Sequence, residues 1–80
     1  MSELRIDVRR RADALHVRGA VRGSKLEQAS DGWVVSVRFD QPTDLPRLLG
    51  ELQACLDEND LTPLTVTIDD AKYLMESRRL

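Results

Sequence analysis

The chain has 80 residues, 41% of them hydrophobic and 32% charged, with a formal net charge of −2. This composition excludes the low hydrophobicity and high net charge of a disordered protein, and the length predicts one small domain, residues 1–80. A single cysteine excludes an internal disulfide, and no stretch is apolar and long enough for a membrane span. Together these features predict a cytoplasmic protein.

Alternating apolar residues predict two strands near the N-terminus. Every second residue from Leu4 to Arg9 is apolar, which predicts a first strand over that range. A second alternation over 15–21, with Leu15, Val17 and Val21 facing the core, predicts a strand that forms an antiparallel hairpin with the first. The polar stretch 23–32 is bounded by glycines and predicts a loop.

The middle of the chain predicts a strand followed by a helix. Apolar residues alternate again from Trp33 to Phe39, which indicates a third strand. Thr43 or Asp44 is suited to cap a helix that runs to about Glu58. The leucines of this helix recur at helical spacing and form one apolar face, made of Leu45, Leu48, Leu49, Leu52 and Leu56.

The C-terminal part predicts one more strand and a short helix. The alternation over 64–68 indicates a fourth strand. If this strand lies beside the third, the helix between them would be a right-handed crossover between parallel neighbours. Asp69 or Asp70 is expected to cap a final helix over 71–79. The predicted fold is therefore a small α+β domain of β-β-β-α-β-α order, a mostly antiparallel sheet with one helix packed on it.

No arrangement of residues in the sequence indicates catalysis. The only histidine and the only cysteine, His16 and Cys55, lie on separate predicted elements without the spacing of a zinc site. We therefore predict a protein that is not an enzyme and holds no metal or cofactor. Asp69 and Asp70 leave one alternative open, because carboxylates at a strand end could complete an active site on another chain.

The predicted partner is another protein or a second copy of the chain, and not a membrane. A partner is expected to cover a weakly apolar face of the final helix, made of Tyr73, Leu74, Met75 and Leu80. The alternative partner is a nucleic acid, whose phosphates the basic residues of the first hairpin could contact. These residues are Arg9, Arg10, Arg11, Arg18 and Arg22.

Several segments resemble the STAS domains of bacterial anti-sigma factor antagonists. They are the opening strand, the amphipathic helix, and the run Val66–Asp69 followed by Tyr73–Ser77. In that family a strand ends in aspartate, and a following serine is phosphorylated by a kinase partner, which breaks a complex. The resemblance implies a partner-switching regulator in which Asp69 matches the strand-end aspartate and Ser77 the phosphorylated serine.

Overall fold

The structure is a computed structural model that describes residues 2–59, 61 and 63–77. These residues form β1 (Ser2–Val8), α1 (Arg11–Ala20), β2 (Lys25–Ala29), β3 (Gly32–Phe39), α2 (Asp44–Asn59), β4 (Leu64–Ile68) and β5 (Ala71–Met75). The predicted α+β class is confirmed. The order of elements differs from the prediction, because α1 replaces the second strand, β2 is additional, and β5 replaces the final helix.

The strands form one antiparallel sheet in the order β2-β3-β1-β4-β5. Helix α1 connects β1 to β2 with β3 between them, and α2 connects β3 to β4 with β1 between them. This β-α-β-β-α-β path is the ferredoxin-like arrangement, to which β5 adds a strand at the β4 edge. Strand β4 does not lie beside β3, so α2 is not a crossover between parallel neighbours; β4 pairs with β1 in antiparallel register.

Both helices pack on one face of the sheet, and the core lies between the two layers. Along β1, Leu4, Ile6 and Val8 face this core, whereas the charged residues between them are exposed on the opposite, open face. The prediction of a single packed helix is therefore corrected to two. The other most deeply buried side chains are Ala14, Val17, Val21, Val35, Leu48, Leu52, Leu56, Leu64 and Val66.

Residues 15–21 lie in helix α1 and its C-cap, so the predicted N-terminal hairpin is wrong. The core-facing side chains are Ala14, Val17 and Val21, which follow helical spacing and are 0% exposed. Val17 and Val21 thus face the core as predicted, whereas Leu15, also predicted to face it, is 43% exposed. Over so short a stretch the apolar residues fit both the alternation of a strand and the spacing of a helix, and packing against the sheet decides between the two conformations.

Strand β2 lies inside the stretch that was predicted to be a loop. Its five residues include no β-branched or aromatic side chain, so local propensity does not favour a strand. The strand forms by pairing with β3, from Lys25 opposite Ser36 to Ala29 opposite Gly32. The loop prediction for 23–32 is therefore wrong over these five residues.

The segment after β4 is a strand, so the predicted final helix is wrong over 71–75, and residues 78–79 of that prediction lie outside the described residues. Asp69 and Asp70 have φ values of 44° and 73° and form the two-residue turn between β4 and β5. Positive φ at both central positions defines a type I′ turn, which joins two antiparallel strands. The Asp69 carboxylate accepts a hydrogen bond from the backbone N–H of Glu3 at 3.5 Å.

The elements with the longest apolar pattern are confirmed. The predicted third and fourth strands are β3 and β4, and the predicted leucine-rich helix is α2. In α2, Leu48, Leu52 and Leu56 are buried, while Leu45 and Leu49 are half-buried against the same core. Neither α1 nor α2 has the length and apolar character that crossing a membrane requires.

Candidate functional site

The two edges of the sheet carry different side chains. At the β2 edge, the charged side chains of Lys25 and Glu27 are exposed, and no large hydrophobic side chain is. At the β5 edge, Tyr73 is 55% exposed and Leu74 is 65% exposed. With Leu15 on α1, these two are the large hydrophobic side chains left exposed in the described part of the chain. The β5 edge is therefore the candidate site.

Tyr73 and Leu74 lie on opposite faces of β5. Tyr73 is paired with Val66, which is buried beneath the helices, so Tyr73 lies on the helix side of the sheet. Leu74 is paired with Thr65 and lies on the open side. Met75 is half-buried and packs against the core. A segment that bound along β5 would thus meet an apolar side chain on each face.

A groove of about 790 Å³ lies between α2 and β5. Gly50, which has no side chain, and Ala54, which has a small one, line its helix wall, and Leu49 lies beside them. Tyr73 and Met75 line the strand side. The small residues on α2 leave room next to the ring of Tyr73, so the groove continues the apolar surface of the edge strand.

Hydrogen bonds attach the chain that follows β5 to helix α2. The Gln53 side-chain amide donates to the carbonyl oxygen of Glu76 at 2.9 Å and to Asp57 Oδ1 at 3.1 Å. The Ser77 hydroxyl donates to the same oxygen of Asp57 at 3.3 Å. Ser77 is therefore half-buried against α2, and any negative charge added to its hydroxyl would lie beside a carboxylate.

The residues predicted to bind a partner are partly brought together by the structure. Tyr73, Leu74 and Met75 lie in sequence on β5, on a strand instead of the predicted helix, and Leu80 lies outside the described residues. Sequence reasoning missed the contribution of α2 to this site. Gln53 and Asp57 have the polar character of any solvated helix face, so no signal in the sequence distinguishes them.

The arginines predicted to contact phosphates are divided between the two ends of α1. Arg9 and Arg10 precede the helix, and Arg11 is its first residue. Arg18 lies in the last turn and Arg22 follows it. At 1.5 Å per residue, Arg18 is about 10 Å further along the axis than Arg11. The five side chains do not share a hairpin face, and nucleic-acid binding stays a prediction.

A second cavity, of about 700 Å³, lies at the end of the sheet where β1 leads into α1. Its lining includes Asp7 and Asp31 as well as Arg9 and Arg10, so both signs of charge are present. A surface of mixed sign attracts polyanions less than a uniformly basic one. This cavity therefore adds no support to a nucleic-acid site.

The two side chains with the most reactive groups, Cys55 and His16, lie on different helices. Cys55 is buried in α2; this burial raises the pKa of its thiol, and a hydrogen bond from Asn59 opposes the rise only in part. A thiol held protonated in this way is a poor nucleophile. His16 is exposed on α1, and not on the predicted strand. Residues 2–59, 61 and 63–77 contain no group of three or more His, Cys, Asp or Glu side chains that could hold a metal ion.

Comparison with known proteins finds no relative of this chain. It matches no protein-family model, no curated protein and no solved structure. The function is therefore argued from three local features: the exposed apolar side chains of β5, the groove between β5 and α2, and the hydrogen-bonded segment that follows the strand.

Proposed function

We propose that this chain is a non-enzymatic protein-binding module of a cytoplasmic regulator, and that it binds its partner along β5 and the adjoining groove. The supporting observation is the exposure of Tyr73 and Leu74 on an edge strand. An edge strand presents unpaired N–H and C=O groups, to which an extended segment of another chain adds as a further strand. Side chains on both faces of β5 then supply apolar contact, which is where binding energy concentrates.

Replacement of both exposed side chains tests this surface. We expect Y73S/L74S to weaken partner binding at least about tenfold, because two large apolar contacts are lost. Its far-UV circular dichroism and unfolding midpoint should stay close to those of the wild type, since both side chains are mostly exposed. The measurement is retention of proteins from a cell lysate by the immobilised chain, quantified by mass spectrometry.

Leu15 supplies the matched control, because it is the exposed leucine of α1 and lies away from β5. The variant L15S should retain the same proteins as the wild type. Retention by folded Y73S/L74S equal to that of the wild type would show that the β5 surface is not the binding surface. Equal losses in L15S and Y73S/L74S would lead to the same conclusion.

We further propose that phosphorylation of Ser77 switches this surface, as the resemblance to STAS domains implies. The Ser77 hydroxyl is 3.3 Å from Asp57 Oδ1, so the attached group would lie next to a carboxylate. A phosphate carries about −1.5 to −2 charges at neutral pH and would repel Asp57. The segment after β5 would then separate from α2, and the groove beside Tyr73 would change shape.

A pair of substitutions at Ser77 distinguishes charge from the loss of a hydrogen bond. Ser77→Asp places a carboxylate beside Asp57 and should weaken partner binding several-fold, whereas Ser77→Ala should bind as the wild type does. Adding Asp57→Asn to Ser77→Asp should restore binding, because the repulsion is removed. Equal retention of the partner by Ser77→Asp and Ser77→Ala in the same assay would refute the switch.

A further inference from the structure

The outer edge of β5 has a definite set of backbone groups available for pairing. In a two-residue hairpin the closing residues, here Ile68 and Ala71, form a hydrogen-bonded pair. Hydrogen-bonded and non-hydrogen-bonded pairs then alternate along the ladder. Lys72 and Leu74 therefore direct their N–H and C=O groups away from β4, toward the open edge.

The side chains along this edge carry opposite charges on either side of an apolar centre. Lys72 and Leu74 lie on the open face, opposite Thr67 and Thr65 of β4, and the exposed Glu76 directly follows the strand. Neither Lys72 nor Glu76 forms a salt bridge with a described residue of its own chain. A cationic, an apolar and an anionic residue therefore follow one another at intervals of two positions, namely Lys72, Leu74 and Glu76.

We propose that β5 pairs with β5 of a second copy of this chain, antiparallel across a two-fold axis at Leu74. This inference rests on the proposed protein-binding function and names the partner. In this register Lys72 lies opposite the partner's Glu76, and the same pair recurs by symmetry. Tyr73 lies opposite the partner's Met75 on the helix side, where thioether and aromatic ring attract each other. Leu74 meets the partner's Leu74 at the axis.

The charges favour this register over those with the axis at Lys72 or at Tyr73. With the axis at Lys72, two ammonium groups would face each other. With the axis at Tyr73, Asp70 would lie opposite the partner's Glu76, and like charges directly opposite one another destabilise a strand pair. Of these three registers, the one centred on Leu74 pairs unlike charges, and it brings the two exposed large hydrophobic side chains of the strand into the contact.

The resulting dimer is a continuous ten-stranded sheet with all helices on one face. A two-fold axis through a strand pair is perpendicular to the sheet, so both copies keep their helices on the same side. Each Tyr73 is then enclosed between its own α2 and the neighbouring β5. The β2 edge lacks such a contact, because it exposes no large apolar side chain.

Charge-reversal variants test this register. Their dimer dissociation constants are measured by sedimentation equilibrium from about 1 µM to about 1 mM protein at low salt. The wild-type mass should rise from 9.1 kDa toward twice that value with concentration. Lys72→Glu and Glu76→Lys should each raise the dimer dissociation constant about tenfold, because both symmetric attractions become repulsions. The double variant K72E/E76K restores unlike pairs and should dimerise as the wild type does. Lys25→Glu, on the β2 edge, is the matched control and should change nothing.

Several results would overturn the dimer. A monomer throughout the concentration range would do so, as would single reversals without effect, a double variant that stays dissociated, or dissociation by Lys25→Glu. These outcomes are separate from failure of the proposed function. A monomer whose retention of lysate proteins depends on Tyr73 and Leu74 would still be a protein-binding module, with a foreign chain in place of the second copy.

Discussion

Gly32 lies where β3 passes closest to the end of β1. Its φ is +154°, and an added Cβ would come within 2.6 Å of the carbonyl oxygen of Val8. We expect Gly32→Ala to lower the free energy of unfolding by about 2 kcal/mol. Alanine rarely adopts this φ, and the facing carbonyl oxygen belongs to the backbone, so it cannot move without displacing the end of β1. Urea unfolding followed by the fluorescence of Trp33, the only tryptophan, measures this change.

Gly19 is the matched control for that substitution. It lies in α1, and no atom is within 4 Å of the position its Cβ would take. Gly19→Ala should raise the free energy of unfolding by about 0.5–1 kcal/mol, because alanine is the better helix former. Destabilisation by Gly19→Ala would argue against a helix at this position, and full stability of Gly32→Ala would argue against the close approach to β1.

At the level of secondary structure, the elements that could be predicted are those with a long and unambiguous apolar pattern. Helix α2 has leucines over more than three turns, and no strand period fits them. Strand β3 alternates over eight residues and is rich in valine and aromatic residues. Such patterns are clear within one segment, so α2, β3 and β4 span residue ranges close to those predicted.

The elements that could not be predicted are short and lack a distinctive period. Helix α1 has ten residues and only two buried side chains within its bounds, Ala14 and Val17, so its pattern also fits a strand. Strands β2 and β5 have five residues each and a weak apolar pattern, and each forms a hairpin with the strand adjacent to it in the sequence. Their conformation is decided by the hydrogen-bonding edges of β3 and β4, which a local reading of the sequence does not contain.

The candidate site, too, could be predicted from the sequence only in part. Tyr73, Leu74 and Met75 could be found from the sequence, because apolar residues late in a charged chain suggest a covered surface. Their placement on an edge strand could not, since it depends on the turn at 69–70. The contacts of Gln53 and Asp57 with the chain after β5 join residues about twenty positions apart, and no local pattern indicates them.

For the whole molecule, β1 is the strand on which stability depends most. It pairs with both β3 and β4, and Ile6 in its middle is 0% exposed. We expect Ile6→Ala to cost about 3 kcal/mol, a large part of the few kcal/mol that a domain of this size possesses. Leu15→Ala should cost about 0.5 kcal/mol, because its side chain is already partly in water.

Thermal and urea unfolding of the two variants test this arrangement. A sharp loss of cooperativity or of folded population in Ile6→Ala, with Leu15→Ala close to the wild type, is the expected result. Similar unfolding midpoints for the two variants would mean that β1 is not the middle strand of the sheet, and that Leu15 is buried in the core as the alternating pattern predicts.

The sequence by itself determined the α+β class, the alternation of β1, β3 and β4, and the apolar face of α2, because each depends on a repeat that is visible within one segment. Only the tertiary structure decided that 11–20 is a helix, that β1 lies between β3 and β4, and that 71–75 closes the sheet as an edge strand. These features depend on which segments meet in space. Short segments of weak propensity take the conformation that satisfies the backbone hydrogen bonds and buried faces of their neighbours.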